Sequence, residues 1–298
     1  MIIDVHSHVL IEPKIYYAPD MIMMSVEDQL GVMDQQGIDK AIILPMVCGE
    51  DGASKQSIAE VLTICNKHPD RFIPFCNYDP RRFTKPQALE PGYFEYILSQ
   101  FKDLGCKGLG EMTCRLWWDD PRVLDLFGAC EKLGFPVTFH TTVPESVDYG
   151  LVDEIGFPRL EKALQKFPKL KFFGHSQGFW AEISSEVKTQ DKWGYPEGEV
   201  KSEGSIVRLM RKYPNLHGDI SANSGFNALS RDPEFGYDFI EEFQGQLLFG
   251  LDYCSTKNDR PHLQWLTKAR DENKISNQAY EKIMWENINR ILDLGLEK

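Results

Sequence analysis

Short, strongly apolar runs alternate along this chain with segments whose apolar residues recur every three or four positions. The runs cover residues 2–8, 40–47, 72–78, 106–112, 137–140, 170–175, 216–221 and 246–252, and they read as eight buried β-strands. Between them, residues 26–36, 56–67, 93–104, 123–133, 160–167 and 206–213 carry the helical period, and many of these segments end in Gly or Pro just before the next strand. Strands joined by helical crossovers predict a parallel sheet whose outer face the helices cover. At 298 residues this is an α/β fold of the (β/α)8 TIM-barrel type. An open doubly wound sheet is the alternative, but the first strand-to-helix turn lacks its GxGxxG phosphate fingerprint. Residues 278–294, with Ile283, Ile288, Ile291 and Leu292 in helical register, predict a C-terminal helix packed on the barrel.

One stretch breaks this rhythm. Residues 184–204 are too long and too polar for a tight connection after strand six, which predicts an insertion over the barrel top, either plain exposed loop or a lid carrying Trp193 and Tyr195. No repeat or low-complexity tract divides the remainder, so residues 1–298 are expected to form a single domain.

Composition narrows the partners. A 42% hydrophobic and 12% aromatic content is that of a globular chain with a large core. The net charge of -12, without a dense run of Lys and Arg, disfavours nucleic acid and anionic membranes and leaves a small-molecule substrate. No basic segment followed by a cleavable apolar stretch opens the chain, and no run approaches a membrane span, so a cytoplasmic location is expected. Oligomeric state is open, and a homo-oligomer is compatible with all of this. Seven cysteines, an odd number without CxxC spacing, fit reduced and mostly buried thiols.

Polar residues inside the strands point to chemistry. His6 and His8 lie two apart on strand one, so both imidazoles face the same side and can address one ion, although such a pair alone also arises by chance. Glu111 ends strand four, His140 strand five, His175 strand six and Asp252 strand eight. All six lie at carboxyl ends, where barrel enzymes build their sites, and should converge above the barrel axis. On strand eight, Leu247, Phe249 and Leu251 form an apolar outer face while Leu248, Gly250 and Asp252 alternate inward. Two buried carboxylates beside four imidazoles call for a cation, and imidazole suits zinc, iron or nickel.

Other residues have competing roles. His68, His217 and His262 are expected to be structural or surface histidines. Arg115, on the strand parity of Glu111, could bind a substrate carboxylate through its forked donors or form an ion pair within the rim. Trp117 with Trp118, Phe179 with Trp180, and Tyr16 with Tyr17 could wall an apolar or aromatic substrate pocket, with core packing as the competing role.

At these positions the chain resembles the amidohydrolase superfamily, in its amidohydrolase-related (amidohydrolase 2) branch, from one end to the other. Asp4-Val5-His6-Ser7-His8 looks like the strand-one motif, His140 and His175 like the histidines of strands five and six, and Phe249-Gly250-Leu251-Asp252-Tyr253 like the strand-eight aspartate motif. Weaker echoes at residues 68–72, at Asp219-Ile220-Ser221-Ala222 and at Glu286-Asn287 fit structural roles better than chemical ones. Strand four departs from the lysine-bridged binuclear members, because Glu111 stands where they carry a lysine. It resembles instead the strand-four glutamate of TatD-like metal hydrolases, which helps hold a second metal.

The resemblance implies a divalent metal cofactor, zinc first, with one or two ions per chain. His6, His8 and Asp252 would be ligands with His140. His175 would be either a ligand or a catalytic side chain, and Glu111 either a ligand or a hydrogen-bonding support. The implied function is a metal-dependent hydrolase that opens an amide, cyclic amide, lactone or ester through a metal-bound hydroxide, with Asp252 as general base and His175 stabilising charge on the substrate oxygen. A non-oxidative decarboxylase of an aromatic or unsaturated carboxylic acid is the alternative, with Arg115, Trp117 and Trp180 addressing the substrate. A non-catalytic, metal-stabilised binding protein is the third reading, and a TatD-like nuclease is disfavoured by the acidic surface.

Overall fold

The computed structural model describes residues 1–12, 16–18, 20–51, 55–82 and 92–297. Each apolar run contains a strand: Ile3–Ser7, Lys40–Ile43, Phe72–Pro74, Leu109–Met112, Val137–Thr142, Phe172–His175, Leu216–Asp219 and Leu247–Leu248. Neighbouring strands pair in parallel, the first three in one arc and the other five in a second. A bridge from Cys76 to Leu109 joins the arcs on one side, and Ser7–Tyr253 joins them on the other, beside the hydrogen bond Val5 N–H to Phe249 O. The sheet thus closes in chain order into the (β/α)8 barrel.

Six helices occupy the expected crossovers: Val26–Gln36, Ile58–Lys67, Tyr93–Asp103, Pro121–Leu133, Pro158–Lys166 and Ser205–Lys212. Their ends follow local chemistry. Ser25 and Asp28 cap the first reciprocally, and it stops at Gly37, whose φ of 70° suits a residue without Cβ. Three further helices, Ala222–Ser230, Pro233–Phe243 and His262–Asp271, lie where no helix was predicted. Ala222–Ser230 carries Asn223, Ser224 and Gly225 in its first turns, which lowers intrinsic propensity. Packing decides there, since a Cβ on Gly225 would come within 2.2 Å of Ile220 O.

The C-terminal helix runs through Asn277–Glu281, a π turn at Lys282–Glu286 and Asn287–Leu292. It holds strand eight from outside: Ile283 O accepts Phe249 N–H at 3.1 Å, and the Asn287 amide donates to Gln244 O and Leu247 O. Trp118 and Phe179 are completely buried, Trp118 edge-on to Phe139 and Phe179 on Phe157 and Phe139. Both belong to the core, not to a substrate pocket. None of the seven cysteines forms a disulfide, and among the described residues no helix is long and apolar enough to cross a membrane.

The insertion after strand six is built rather than merely exposed. Ser184 and Glu203 pinch its base in an antiparallel bridge, and Lys192 in its short 3-10 helix Thr189–Trp193 is buried against Glu182, its ammonium 4.1 Å from the Phe157 ring centre. Trp193 and Tyr195 remain exposed. Replacing Lys192 by Ala strands a buried carboxylate at Glu182, and a loss of about 3–5 kcal/mol in denaturant unfolding is expected. An unchanged midpoint would show that the pair contributes nothing to anchoring the insertion.

His217 and His262 turn out to be buried rather than surface histidines. Neither ring nitrogen of His217 has a partner among the described residues, and burial with the charges of Lys171 and Arg290 pushes its pKa down to about 3. Burial lowers His262 to about 4. Each stays neutral in the fold while the unfolded chain takes up its proton near pH 6.5, so stability falls as pH drops below that value. For His217 alone the loss between pH 6.5 and 4.5 is up to about 2.7 kcal/mol. Guanidinium unfolding at both pH values should therefore show a shallower acid loss in His217→Phe than in the unaltered chain. Equal losses would contradict the buried neutral state.

Candidate metal centre

His6 and His8 enter the barrel mouth from strand one with their ring nitrogens sorted by their neighbours. The His6 Nδ1 faces Asp219 Oδ2 at 2.7 Å, and the His8 Nδ1 faces Leu44 O at 2.9 Å. Both partners are acceptors, so each Nδ1 carries a proton and each Nε2 is the nitrogen turned to the cluster. Those two Nε2 atoms lie 3.1 Å apart. Two lone pairs at that separation repel unless a cation or a proton sits beside them.

Around them stand the other strand ends. Glu111 Oε2 is 3.8 Å from His6 Nε2 and 3.7 Å from His8 Nε2, while its Oε1 is 3.9 Å from His175 Nε2. Asp252 Oδ1 lies 3.8 and 3.5 Å from the same two Nε2 atoms, and its Oδ2 3.9 Å from His175 Nε2. His140 Nδ1 donates to Tyr149 O at 3.2 Å, which turns its Nε2 to the cluster. Three-residue sets with ligand atoms within 4.8 Å of one another are His6, His8 and Glu111; His6, His175 and Asp252; Glu111, His140 and His175; and His8, Asp252 and Cys254. Glu111 belongs to two of these and straddles them.

The electrostatics favour positive charge among these groups. Burial disfavours charge on His6, yet Asp219, Asp252 and Glu111 outweigh it and hold its pKa well above the usual value, while burial and the His6 charge push His8 down. Burial opposes ionisation of Glu111 and Asp219 too, but the surrounding imidazoles keep both well below the usual carboxylate range. Burial brings His140 down to about 4. Glu111 Oε1 is buried without a hydrogen-bond partner among the described residues. Imidazole Nε2 atoms turned inward, an orphaned carboxylate oxygen and a His/Asp/Glu donor set fit a divalent ion.

Beneath this ring lies a layer the sequence motifs treated as structural. Asp219 Oδ2 also lies 3.4 Å from His175 Nδ1, and Ser221 Oγ is 3.0 Å from that same nitrogen. Gly250 makes room for it, since a Cβ there would meet Asp219 Oδ1 at 2.9 Å. Asp4, whose carboxyl burial pushes up to about 7, accepts the backbone N–H of His6 and Leu251 and so ties strand one to strand eight. The signal for Asp219 was present: a carboxylate closing an apolar strand, as in Asp252.

The residues expected to meet substrate are placed differently. Arg115 donates to Asp148 O at 2.6 Å and Pro144 O at 3.0 Å, clasping the loop after strand five, with no carboxylate partner among the described residues. Trp117 is exposed, with the Arg159 guanidinium 4.5 Å from its ring centre. Trp180 is a correction: it is buried, packs on Phe179 and Phe239, and donates from its indole N–H to Asp219 O at 2.9 Å, so it supports strand seven instead of lining a pocket. The side chains of Tyr16 and Tyr17 lie outside the described residues. Tyr149, not anticipated, lies tilted against His140 with ring centres 4.4 Å apart.

A closed parallel barrel with a histidine and carboxylate cluster at its carboxyl ends defines a TIM barrel with a candidate metal centre. The chain belongs to the amidohydrolase family (Amidohydro_2), whose sequence model matches residues 3–294. It is similar in structure to an uncharacterized TIM-barrel protein from Bordetella bronchiseptica, at 19% identity and TM-score 0.66, with 98% of each chain covered. It is similar also to 2,6-dihydroxybenzoate decarboxylase from Rhizobium, at 16% identity and TM-score 0.60 over 99% of each chain. A putative 2-pyrone-4,6-dicarboxylic acid hydrolase from Pseudomonas putida matches at 14% identity and TM-score 0.61, over 99% of this chain and 98% of that one. At such identities the likeness speaks for the fold. No curated protein matches the chain in sequence.

Proposed function

We propose that this chain, read as one barrel domain, is a metal-dependent hydrolase of a small organic substrate with an amide, cyclic amide, lactone or ester bond. The observation that carries the reading is the pair of Nε2 atoms of His6 and His8, 3.1 Å apart, with Glu111 Oε2 3.8 and 3.7 Å from them and Glu111 Oε1 buried without a hydrogen-bond partner among the described residues. His6, His8, Glu111, His140, His175 and Asp252 would hold one or two divalent ions, with zinc first among the candidates. Bound there, a divalent ion supplies Lewis acidity and brings the pKa of water toward about 7.

Asp252 is the most accessible carboxylate of the cluster, its side chain 15% exposed against 9% for Glu111 and none for Asp219. That places it to take the proton of an incoming water and pass it to the leaving group. His175, its Nδ1 turned to Ser221 and Asp219, would present Nε2 either to the ion as a ligand or to the substrate oxygen as a catalytic side chain. Asp219 holds the Nδ1 proton of His6, which fixes the tautomer that keeps Nε2 free.

One observation favours the decarboxylase as second reading: Arg115 brings to the rim a guanidinium that donates to backbone carbonyls and forms no salt bridge among the described residues. The two are separated by assaying zinc-loaded and manganese-loaded protein on a panel of lactones, esters and cyclic amides beside a panel of hydroxybenzoates. Turnover on the first supports the hydrolase; carbon dioxide release from the second with none on the first overturns it.

A further inference from the structure

Asp252 is not held by its own strand. The ladder of strand eight ends at Leu248, and Asp252 has a φ of 55°, a left-handed conformation that persists only when its surroundings fix it. Two of the fixing contacts come from strand one, where His6 O accepts the Asp252 N–H at 2.9 Å and Asp4 accepts that of Leu251. The third is Arg260. Its Nε donates to Leu251 O at 2.7 Å and a terminal nitrogen donates to Asp252 O at 3.0 Å, so one planar guanidinium grips two successive carbonyls. The other terminal nitrogen donates to Asn223 Oδ1 at 3.0 Å, on the helix that follows strand seven. The loop between is folded to deliver it, with Asn258 Oδ1 accepting the N–H groups of Cys254 and Ser255 at 2.9 Å. Among the described residues Arg260 has no carboxylate partner, so carbonyls are what its charge serves.

We propose that Arg260 is a positioning residue for Asp252, aiming its carboxylate into the histidine cluster by clamping the strained backbone from which it projects. This rests on the reading of Asp252 as a metal-site residue. A rigid fork matches two carbonyls in a way that a lysine, a single flexible donor group, does not.

Titration with Co2+ alone, followed by the visible absorption of the bound ion, tests this in the full chain, comparing Arg260→Ala, Arg260→Lys and Asp252→Asn with the unaltered protein. Thermal unfolding without metal is measured beside it. Arg260→Ala is expected to weaken Co2+ binding about 10–100-fold and to alter the absorption bands while keeping a cooperative transition, with Arg260→Lys in between. Should Arg260→Ala not fold, Arg260→Lys and Asn223→Ala, which removes one of two partners of a single fork nitrogen that also donates to Asp259 O, carry the comparison with smaller losses expected. Unchanged affinity and spectrum in the folded Arg260 variants, together with a loss in Asp252→Asn, overturn the positioning role and leave the metal site standing. No loss in Asp252→Asn overturns the reading of Asp252 and this role with it.

Discussion

Replacing Asp252 with asparagine is expected to lower kcat by about 10²–10⁴-fold, the range for removing a general acid–base group, while leaving the fold intact. The substitution is nearly isosteric and keeps the backbone contacts from Asp252 N–H to His6 O and from Arg260 to Asp252 O. It removes the charge that lies 3.5 Å from His8 Nε2 and the lone pair that would accept a proton from water. Steady-state kinetics on the substrate found by the panel, with thermal unfolding in parallel, decide the matter. A kcat within twofold of the unaltered enzyme would remove Asp252 from the chemistry.

The second large effect is expected at Asp219. Its carboxylate fixes the Nδ1 proton of His6 and lies close to that of His175, yet touches no reacting group. In Asp219→Asn the amide presents a donor as readily as an acceptor, the tautomer of His6 is no longer dictated, and Nε2 loses its assured lone pair. Metal affinity should fall about 10–100-fold, the usual cost of losing such a partner, and zinc competition titration measures it. An affinity equal to that of the unaltered chain would show that the Asp219–His6 contact serves packing alone.

Much of this was legible in the sequence, for identifiable reasons. Burial on both faces of a parallel strand writes itself as an apolar run, so seven of the eight strands fall within the expected segments, and Ser25 and Gly37 bound the first crossover helix as capping chemistry requires. Strand five instead runs two residues past its segment, to Thr142, while most of the others are shorter than their runs because the ladder ends before the apolar pattern does. Leu247–Leu248 is the extreme, its remaining residues held by the C-terminal helix and strand one. The helices at Ala222–Ser230 and His262–Asp271 were hidden because packing, not periodicity, specifies them.

At the site, the six residues with a strand-end signature are brought together. The ones that orient them were harder to see. Ser221 and Arg260 act through backbone carbonyls and ring nitrogens whose proximity only the closed barrel creates, 46 and 8 residues from the residues they hold. Trp180 shows the reverse error, a large aromatic after strand six that the fold spends on its core.

Metal content of freshly purified protein, by inductively coupled plasma mass spectrometry beside a Glu111→Gln variant, tests the metal centre most directly. Because Glu111 lies within reach of both the His6–His8 and the His140–His175 pairs, about two divalent ions per chain are expected, falling to about one in the variant. Less than one ion per chain, persisting after incubation with zinc or manganese and desalting, would contradict the metal centre itself.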